Sequence, residues 1–356
     1  MFVMLFINEK YPFQTEHMAE SSTAFTEQKL QQSAWLHRTD LCVLRLEGAD
    51  SIDFLQRVST NDVRDVAGNV MRTTLLCTDK GRILDVVRVV SHETHVLLVV
   101  SAARREQVQR YLQTYIIMDD VRVRDCSASW ECYEICGSDA AAACSEVLAG
   151  GSPSAAEHMV QPFPANAVYR GIRDDDQLIA FSIEPRNEQS YVVLVQIADS
   201  QERSAASASE TLFAHIPYID DSAANVLRIE QGIPAVDKEL TIDHNPLEAN
   251  LLHYINFRKG CYIGQEVIAR LDSYNKVKVR LVGLRCATSI DEGSAVILPD
   301  AEPGVVTSSC ESPRFGQIAL AYIRTEYAIA GHSVIVRDAH SGSEHTCTVH
   351  TLPFHL

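Results

Sequence analysis

One octapeptide concentrates the reactive residue types of this chain: Lys259-Gly260-Cys261-Tyr262-Ile263-Gly264-Gln265-Glu266. It sets a thiol between a lysine and two glycines, company that none of the other nine cysteines has. Glycine removes side-chain bulk, so backbone and thiol can lie close against a ligand. A neighbouring cation favours thiolate, the reactive form of cysteine. Cys261 is therefore the candidate functional thiol. Three chemistries are open to a thiolate: redox cycling, ligation of a metal cluster, or nucleophilic attack. A single cysteine cannot hold a cluster alone, since clusters usually need about four protein ligands. A tight turn with a semi-buried thiol is the other reading of the same residues.

A carboxylate draws the eye next, in the run from Asp221 to Pro234. A capped start and a Gly-Ile-Pro exit frame a helix there. Ala223, Leu227 and Glu230 share one of its faces, so Glu230 stands in line with apolar residues. It also falls in the last turn, where the helix dipole disfavours negative charge. Pairing with Arg228, or reach to water, accounts for this placement. So does a pocket-floor carboxylate whose two oxygens meet two adjacent N–H donors of a ring. Between Arg258 and Arg280 the charges are Arg258, Lys259, Arg270, Lys276, Lys278 and Arg280 against Glu266 and Asp272. Lys276 and Lys278 suit a strand edge, where lysine blocks aggregation. Arg258, Lys259 and Arg270 are left as candidates for an anionic ligand. No metal set emerges: Cys126, Cys132 and Cys136 lack ferredoxin spacing, and His350 points away from a strand face shared by His345 and Cys347.

These residues need elements to position them. Leu41 to Leu46 reads as a strand, and Gly48-Ala49-Asp50 opens a helix holding Phe54, Leu55 and Val58, with Asp50 as its cap. Val86–Val90 and Val96–Val100, joined by Ser91 to His95, predict a hairpin. Val108, Tyr111, Leu112, Tyr115 and Ile116 follow a helical period. Tyr191 to Ile197 is a further strand. Such a mixture indicates an α+β domain rather than a βαβ series. Ala140 to Ala156 and Asp199 to Glu210, poor in sequence complexity, read as joints or surface loops. From Lys276 onward, alternation and short strands with glycine turns predict a small antiparallel β-domain.

The whole chain sets outer limits on function. Its 356 residues allow two or three domains, and 46% hydrophobic with 22% charged residues is ordinary globular material. A net charge of −16 argues against nucleic acid or an anionic membrane as the main partner. Ten irregularly spaced cysteines point to a reducing compartment. Met1 to Ile7 is apolar but runs into Asn8-Glu9-Lys10, unlike a secretory signal. Arg38 is the first arginine, after Glu9, Glu16, Glu20 and Glu27, unlike a mitochondrial presequence. Bacterial cytoplasm is the expected location, or the mitochondrial matrix if the source is eukaryotic.

Lys259 to Glu266 resembles the signature of the YgfZ family, folate-binding relatives of the glycine-cleavage T-protein that act in iron–sulfur protein maturation. Phe54-Leu55-Gln56-Arg57-Val58-Ser59-Thr60-Asn61-Asp62 resembles that family's F-L-Q-x-x-x-T-N-D segment. Cys77 to Asp85 and Asn245 to Asn250 agree with it in the same order. Leu227-Arg228-Ile229-Glu230-Gln231-Gly232 resembles the Leu-Arg-x-Glu-x-Gly motif of the T-protein superfamily. The agreement spans Phe54 to Glu266 and is weaker for the C-terminal part. It implies an α+β, T-protein (GcvT/YgfZ-like) fold: two interleaved α+β domains and a small antiparallel C-terminal β-barrel. The expected division is a lead over 1–37, a folate-binding region over 38–210 and 211–275, and the barrel over 276–356. The same resemblance implies tetrahydrofolate or a derivative in a central cavity. Glu230 would lie at the pteridine, Cys261 near its edge, and Arg228 and Asn61 in the same site. Arg258, Lys259 and Arg270 would face the glutamyl tail. Implied partners are folate and iron–sulfur enzymes or assembly proteins, with a link to tRNA modification.

T-proteins carry Gly-Gly-x-x-Asp-Asp, which supplies the aspartate nearest the reacting amine. Here the matching stretch is Gly81-Arg82-Ile83-Leu84-Asp85-Val86, and Val86 takes the place of that aspartate. Leu98 aligns with the tyrosine that T-proteins set against folate. A valine neither accepts a proton nor orients an amine. The expectation is therefore a folate-binding accessory protein of iron–sulfur enzyme assembly or repair. A tetrahydrofolate-dependent aminomethyl- or methyl-transferase is the first alternative, and a non-catalytic scaffold the second.

Overall fold

The computed structural model describes residues 32–150, 166–173, 176–182, 190–197, 209, 211–274, 276–299 and 303–355. Residues 1–31 of the expected lead lie outside this range, as do 151–156 of the first low-complexity stretch and all of Asp199 to Glu210 except Ser209.

Apolar runs such as Val96–Val100 are too continuous for strands with one wet face. They belong to strands buried on both sides. The first sheet contains β2 (Leu41–Glu47), β3 (Arg72–Cys77), β4 (Ile83–His92), β5 (His95–Ser101) and β6 (Arg122–Asp125). Its order is β3-β4-β5-β2-β6. The second contains β1 (Ala34–His37), β7 (Trp130–Cys136), β8 (Val168–Arg173), β9 (Asp176–Ser182) and β10 (Ser190–Gln196), in the order β1-β7-β10-β9-β8. The chain thus starts one sheet, builds the whole of the other, and returns. The sheets pack face to face through Val43, Val90, Leu97 and Val99 on one side and Trp130, Ile179, Phe181, Val192 and Leu194 on the other. The expected hairpin is β4–β5, paired as far as His92 opposite His95, so its turn is only Glu93-Thr94.

Helices cover the outer faces. Over the first sheet lie α1 (Ser51–Val58) and α2 (Arg105–Tyr115), which contribute Phe54, Leu55, Val58, Val108 and Leu112. The Tyr111 hydroxyl lies 3.0 Å from both the Val58 and the Cys77 carbonyl, tying α2 to α1 and β3. Asp50 does not cap α1. Its carboxylate instead accepts the backbone N–H of Asp120 at 2.8 Å, because the long loop before β6 supplies a nearer donor. Over the second sheet lies α3 (Ala140–Leu148), where the sequence reading expected a loop. Alanine is the best helix former, and small side chains let the helix seat closely. The Leu148 carbonyl lies where a Cβ on Gly171 would be only 2.4 Å away.

Two further helices, α4 (Asp221–Glu230) and α5 (Gln265–Ser273), lead to the barrel. Asp220 caps α4 by accepting the Ala223 N–H at 2.9 Å. The barrel comprises β11 (Val279–Cys286), β12 (Ala295–Ile297), β13 (Gly304–Ser312), β14 (Gly316–Arg324), β15 (Ser333–Arg337) and β16 (Glu344–His350). It closes in the order β11-β14-β13-β12-β15-β16, with β16 pairing back to β11. This is the mixed α+β architecture with a small C-terminal barrel that the resemblance implied. Leu284, Val296, Val336 and Val349 fill the barrel, while Leu281, Phe315, Ile318 and Tyr322 pack outward against Ile229, Leu240, Leu251 and Ile268.

Candidate functional site

Where the two sheets, α4 and the barrel meet, a cavity of about 1110 Å³ opens. The β1–β2 turn lends it Arg38 and Asp40; β4 adds Val86 and Arg88, and Ser101 follows at the end of β5. Glu134 of β7, Asn225 and Arg228 of α4, Gln231 at the C-cap of that helix, then Leu251, Tyr254, Arg280, Leu281 and Leu352 complete the part of the wall that matters.

Polar groups on this wall are mostly committed to one another. Arg38 forms two 2.7 Å bonds to Asp40 and a close ion pair with buried Glu134. Desolvation works against the Arg38 charge, but Glu134 and Asp40 outweigh it and hold its pKa above the ordinary value. Glu134 also accepts from the Ser190 hydroxyl at 2.5 Å. Arg228 donates to the Asn225 side-chain oxygen at 2.8 Å, Ser308 at 2.8 Å, the Ile233 carbonyl at 2.9 Å and Glu239 at 3.1 Å. Arg228 therefore clamps α4 to the barrel. Asp85 is turned into its own sheet, where it accepts from Val86 N–H, Ser101 N–H and the Ser101 hydroxyl at 2.9, 2.9 and 2.7 Å. Burial raises its pKa, although those three donors favour the anion. At the cavity wall itself the side chain beside it is Val86.

Gln231 stands apart. Its Oε1 is buried without a hydrogen-bond partner among the described residues. An amide that lacks a partner at a cavity wall invites one from a ligand. The sequence singles out Glu230 rather than its neighbour Gln231. On a helix, however, Ala224, Leu227, Arg228 and Gln231 share a face, and this is the face that lines the cavity. Glu230 is rotated off it. Only 4% exposed, it accepts from the Ser312 hydroxyl at 2.5 Å and lies 3.4 Å from the Arg314 guanidinium, both on the β13–β14 hairpin.

The octapeptide lies elsewhere, and its residues divide. Lys259 is buried, with Nζ donating to the carbonyls of Ser59 at 2.8 Å and Asn61 at 2.5 Å. Burial lowers its pKa to about 8. Asn61 is occupied locally, its side chain donating to the Thr73 carbonyl at 2.8 Å and accepting the Asp62 N–H at 2.9 Å. Gly264 has φ +81°, and a Cβ there would sit 2.6 Å from the Thr78 carbonyl and 3.1 Å from Gly81 Cα. A Cβ on Gly260 would meet nothing within 4 Å. Tyr262 is buried, whereas Cys261, Arg258, Arg270 and Glu266 are exposed and Gln265 is half-buried.

The structure therefore assembles the sequence motifs, and two of them reach the cavity: Leu227, Arg228, Gln231 and Gly232 of the 227–232 run and Ala249 and Asn250 of the 245–250 segment line it. The 54–62 segment meets the octapeptide at Lys259, and the 77–85 turn meets it at Gly264. Ile83 N–H bonds the His244 carbonyl at 3.0 Å, which brings in the 245–250 segment. Of the residues expected to hold a ligand, Arg228 lines the cavity. Glu230, Asn61, Lys259, Arg258, Arg270 and Cys261 do not. One link between loop and cavity is Thr60, whose hydroxyl donates to the carbonyl of the cavity residue Tyr254 at 2.7 Å.

The cavity suits a partly apolar ligand that also carries amide and carboxylate groups. Val86, Leu251, Leu281 and Tyr254 provide apolar faces, Gln231 a free amide oxygen, and Arg88 and Arg280 cations. Tetrahydrofolate has this composition.

Comparison with known proteins is consistent across the chain. The family described as "GCVT N-terminal domain" matches residues 13–162, and that described as "Glycine cleavage T-protein C-terminal barrel domain" matches residues 280–355. The Arabidopsis thaliana protein named "Putative transferase At1g60990, chloroplastic" is 28% identical over 306 residues, covering 84% of this chain and 67% of its own length. An aminomethyltransferase of Listeria innocua is 27% identical over 295 residues, 79% of this chain and 76% of the relative. The crystal structure of the glycine cleavage system aminomethyltransferase T from Bartonella henselae has the same fold. It matches with a TM-score of 0.78 over 94% of this chain and 89% of that one, at 18% identity.

Proposed function

This chain belongs to the GcvT superfamily of folate-dependent transferases, and from that membership we propose that it is a tetrahydrofolate-binding accessory protein of the YgfZ kind, acting in the assembly or repair of iron–sulfur enzymes. The observation that carries this reading is the valine on the cavity wall. Val86 lines the cavity while the adjacent Asp85 is consumed by Val86 and Ser101 inside the sheet. No carboxylate of this stretch is left to take a proton from, or orient, a reacting amine. The exposed thiol of Cys261 supports the same reading, held out on a loop whose lysine and second glycine are anchored.

In this account Gln231 and the apolar wall hold tetrahydrofolate, a carrier of one-carbon units, and Arg88 and Arg280 face its carboxylates. Glu230 fastens α4 to the barrel. Titration calorimetry with tetrahydrofolate tests these roles: Gln231→Ala lowers affinity by about 0.5–1.5 kcal/mol, whereas Glu230→Gln alters chiefly stability. Complementation tests the larger proposal. A bacterial strain lacking its own YgfZ-family protein receives this chain, and iron–sulfur enzyme activity is read under oxidative stress. Wild type rescues and Cys261→Ala does not. Rescue by neither, with good expression, moves the reading to a tetrahydrofolate-dependent transferase, which the aminomethyltransferase relatives favour and a one-carbon transfer assay detects. Rescue unaffected by loss of folate binding would leave a scaffold.

A further inference from the structure

All ten cysteines are free thiols, and two of them face each other across the seam that closes the barrel. That seam, β11 against β16, runs from Gly283 opposite His350 to Cys286 opposite Cys347. Residues directly opposed in an antiparallel pair have Cα atoms about 4.5 or 5.5 Å apart. Either spacing lies within the roughly 4.4–6.8 Å that a disulfide spans. Both side chains are on the inner side of the barrel: Cys347 is part of its core, and Cys286 packs against that core. Cys347 is 1% exposed, while Cys286 is only half-buried, so one sulfur of the pair is within reach of a small oxidant.

We propose that Cys286 and Cys347 are a peroxide-oxidisable dithiol that closes into a cross-strand disulfide and locks the barrel seam. The two opposed thiols affect each other unequally, with the pKa of Cys347 held down and that of Cys286 pushed up, so one proton leaves more readily than two. Hydrogen peroxide enters beside half-buried Cys286, and the Cys347 thiolate attacks one of its oxygens. The O–O bond breaks, a sulfenic acid forms, and the departing hydroxide takes up the released proton as water. The second thiol then attacks the sulfenic sulfur. The S–S bond forms, the S–O bond breaks, and the leaving oxygen takes that thiol's proton as a second water. Two electrons pass from the sulfurs to the peroxide. The opposite end of the seam carries His350, on the cavity wall, and the two β11 residues just before the seam, Leu281 and Val282, line the cavity as well, so the lock tethers strands that bound the cavity.

The inference does not depend on which ligand the cavity takes. Its test treats the whole folded chain with hydrogen peroxide, alkylates the remaining thiols, digests it and maps cross-linked peptides by mass. The expected result is a Cys286–Cys347 peptide that dithiothreitol abolishes, and a higher Tm for the oxidised chain than for the reduced one. Cys286→Ser removes both the peptide and the peroxide-induced rise. The proposal is overturned if exposed Cys261 is oxidised while no 286–347 peptide appears, or if that peptide forms only in urea. The wild-type map decides between these outcomes even if a variant fails to fold.

Discussion

At the scale of single residues, the octapeptide separates into anchors and a presented thiol, and the anchors make sharp predictions. Gly264 is in the left-handed region and pressed against the Thr78–Gly81 turn. A left-handed backbone costs a non-glycine residue about 1–2 kcal/mol before any clash. Gly264→Ala is therefore expected to lower stability by at least about 2 kcal/mol in urea unfolding. Gly260→Ala, which meets no neighbour, should fall within about 1 kcal/mol of wild type. Lys259 predicts a pH dependence. Its pKa falls from 10.5 to about 8 on folding, so between those values the unfolded chain binds the extra proton. Stability then rises with pH across that window, and the protonated lysine opposes folding below it. Unfolding midpoints of wild type and Lys259→Met through the window should differ by this slope; parallel curves would show that Lys259 does not titrate there. The sequence made the octapeptide legible because glycine, lysine and cysteine each have few reasons to occur together. It drew attention to a conspicuous carboxylate, Glu230, one residue from the less conspicuous Gln231 that lines the cavity. One residue on a helix is about 100° of rotation.

Elements were legible where burial leaves a pattern, a continuous apolar run when both faces are covered and a period when one is. The β4–β5 hairpin, α2 and the barrel strands each show it. They were obscured where composition imitates disorder: α3 is four alanines and a cysteine in its first five residues, a pattern that a loop shares. Only the apolar sheet waiting above it decides for helix. Caps were likewise half legible. Asp50 and Asp220 look alike in sequence, yet only Asp220 turns its carboxylate to its own helix. Asp220→Ala should thus destabilise the protein by about 1 kcal/mol, and Asp50→Ala should act through the Asp120 loop instead. Hydrogen exchange separates the two: the first variant should loosen α4 amides, and the second those near Asp120 while sparing α1.

For the whole molecule, the barrel is closed but not self-sufficient. Its interior is its own, whereas Leu281, Phe315, Ile318, Leu320 and Tyr322 are covered by residues from 229–277. A fragment spanning 276–356 should expose that face, bind a hydrophobic dye and self-associate on gel filtration. A monodisperse fragment silent to dye would mean the covering segment adds little. The order in which the sheets interleave came from family resemblance alone, since periodicity finds strands without saying which sheet each joins. That order has a consequence for synthesis on the ribosome. The first sheet is complete once Asp125 has emerged, but Leu194, part of the layer that covers its inner face, comes later. At about 5–20 residues per second that interval lasts roughly 3–14 s. During it the nascent chain carries a finished sheet with Val43, Val90, Leu97 and Val99 bare, a ready substrate for a holding chaperone before any cavity exists.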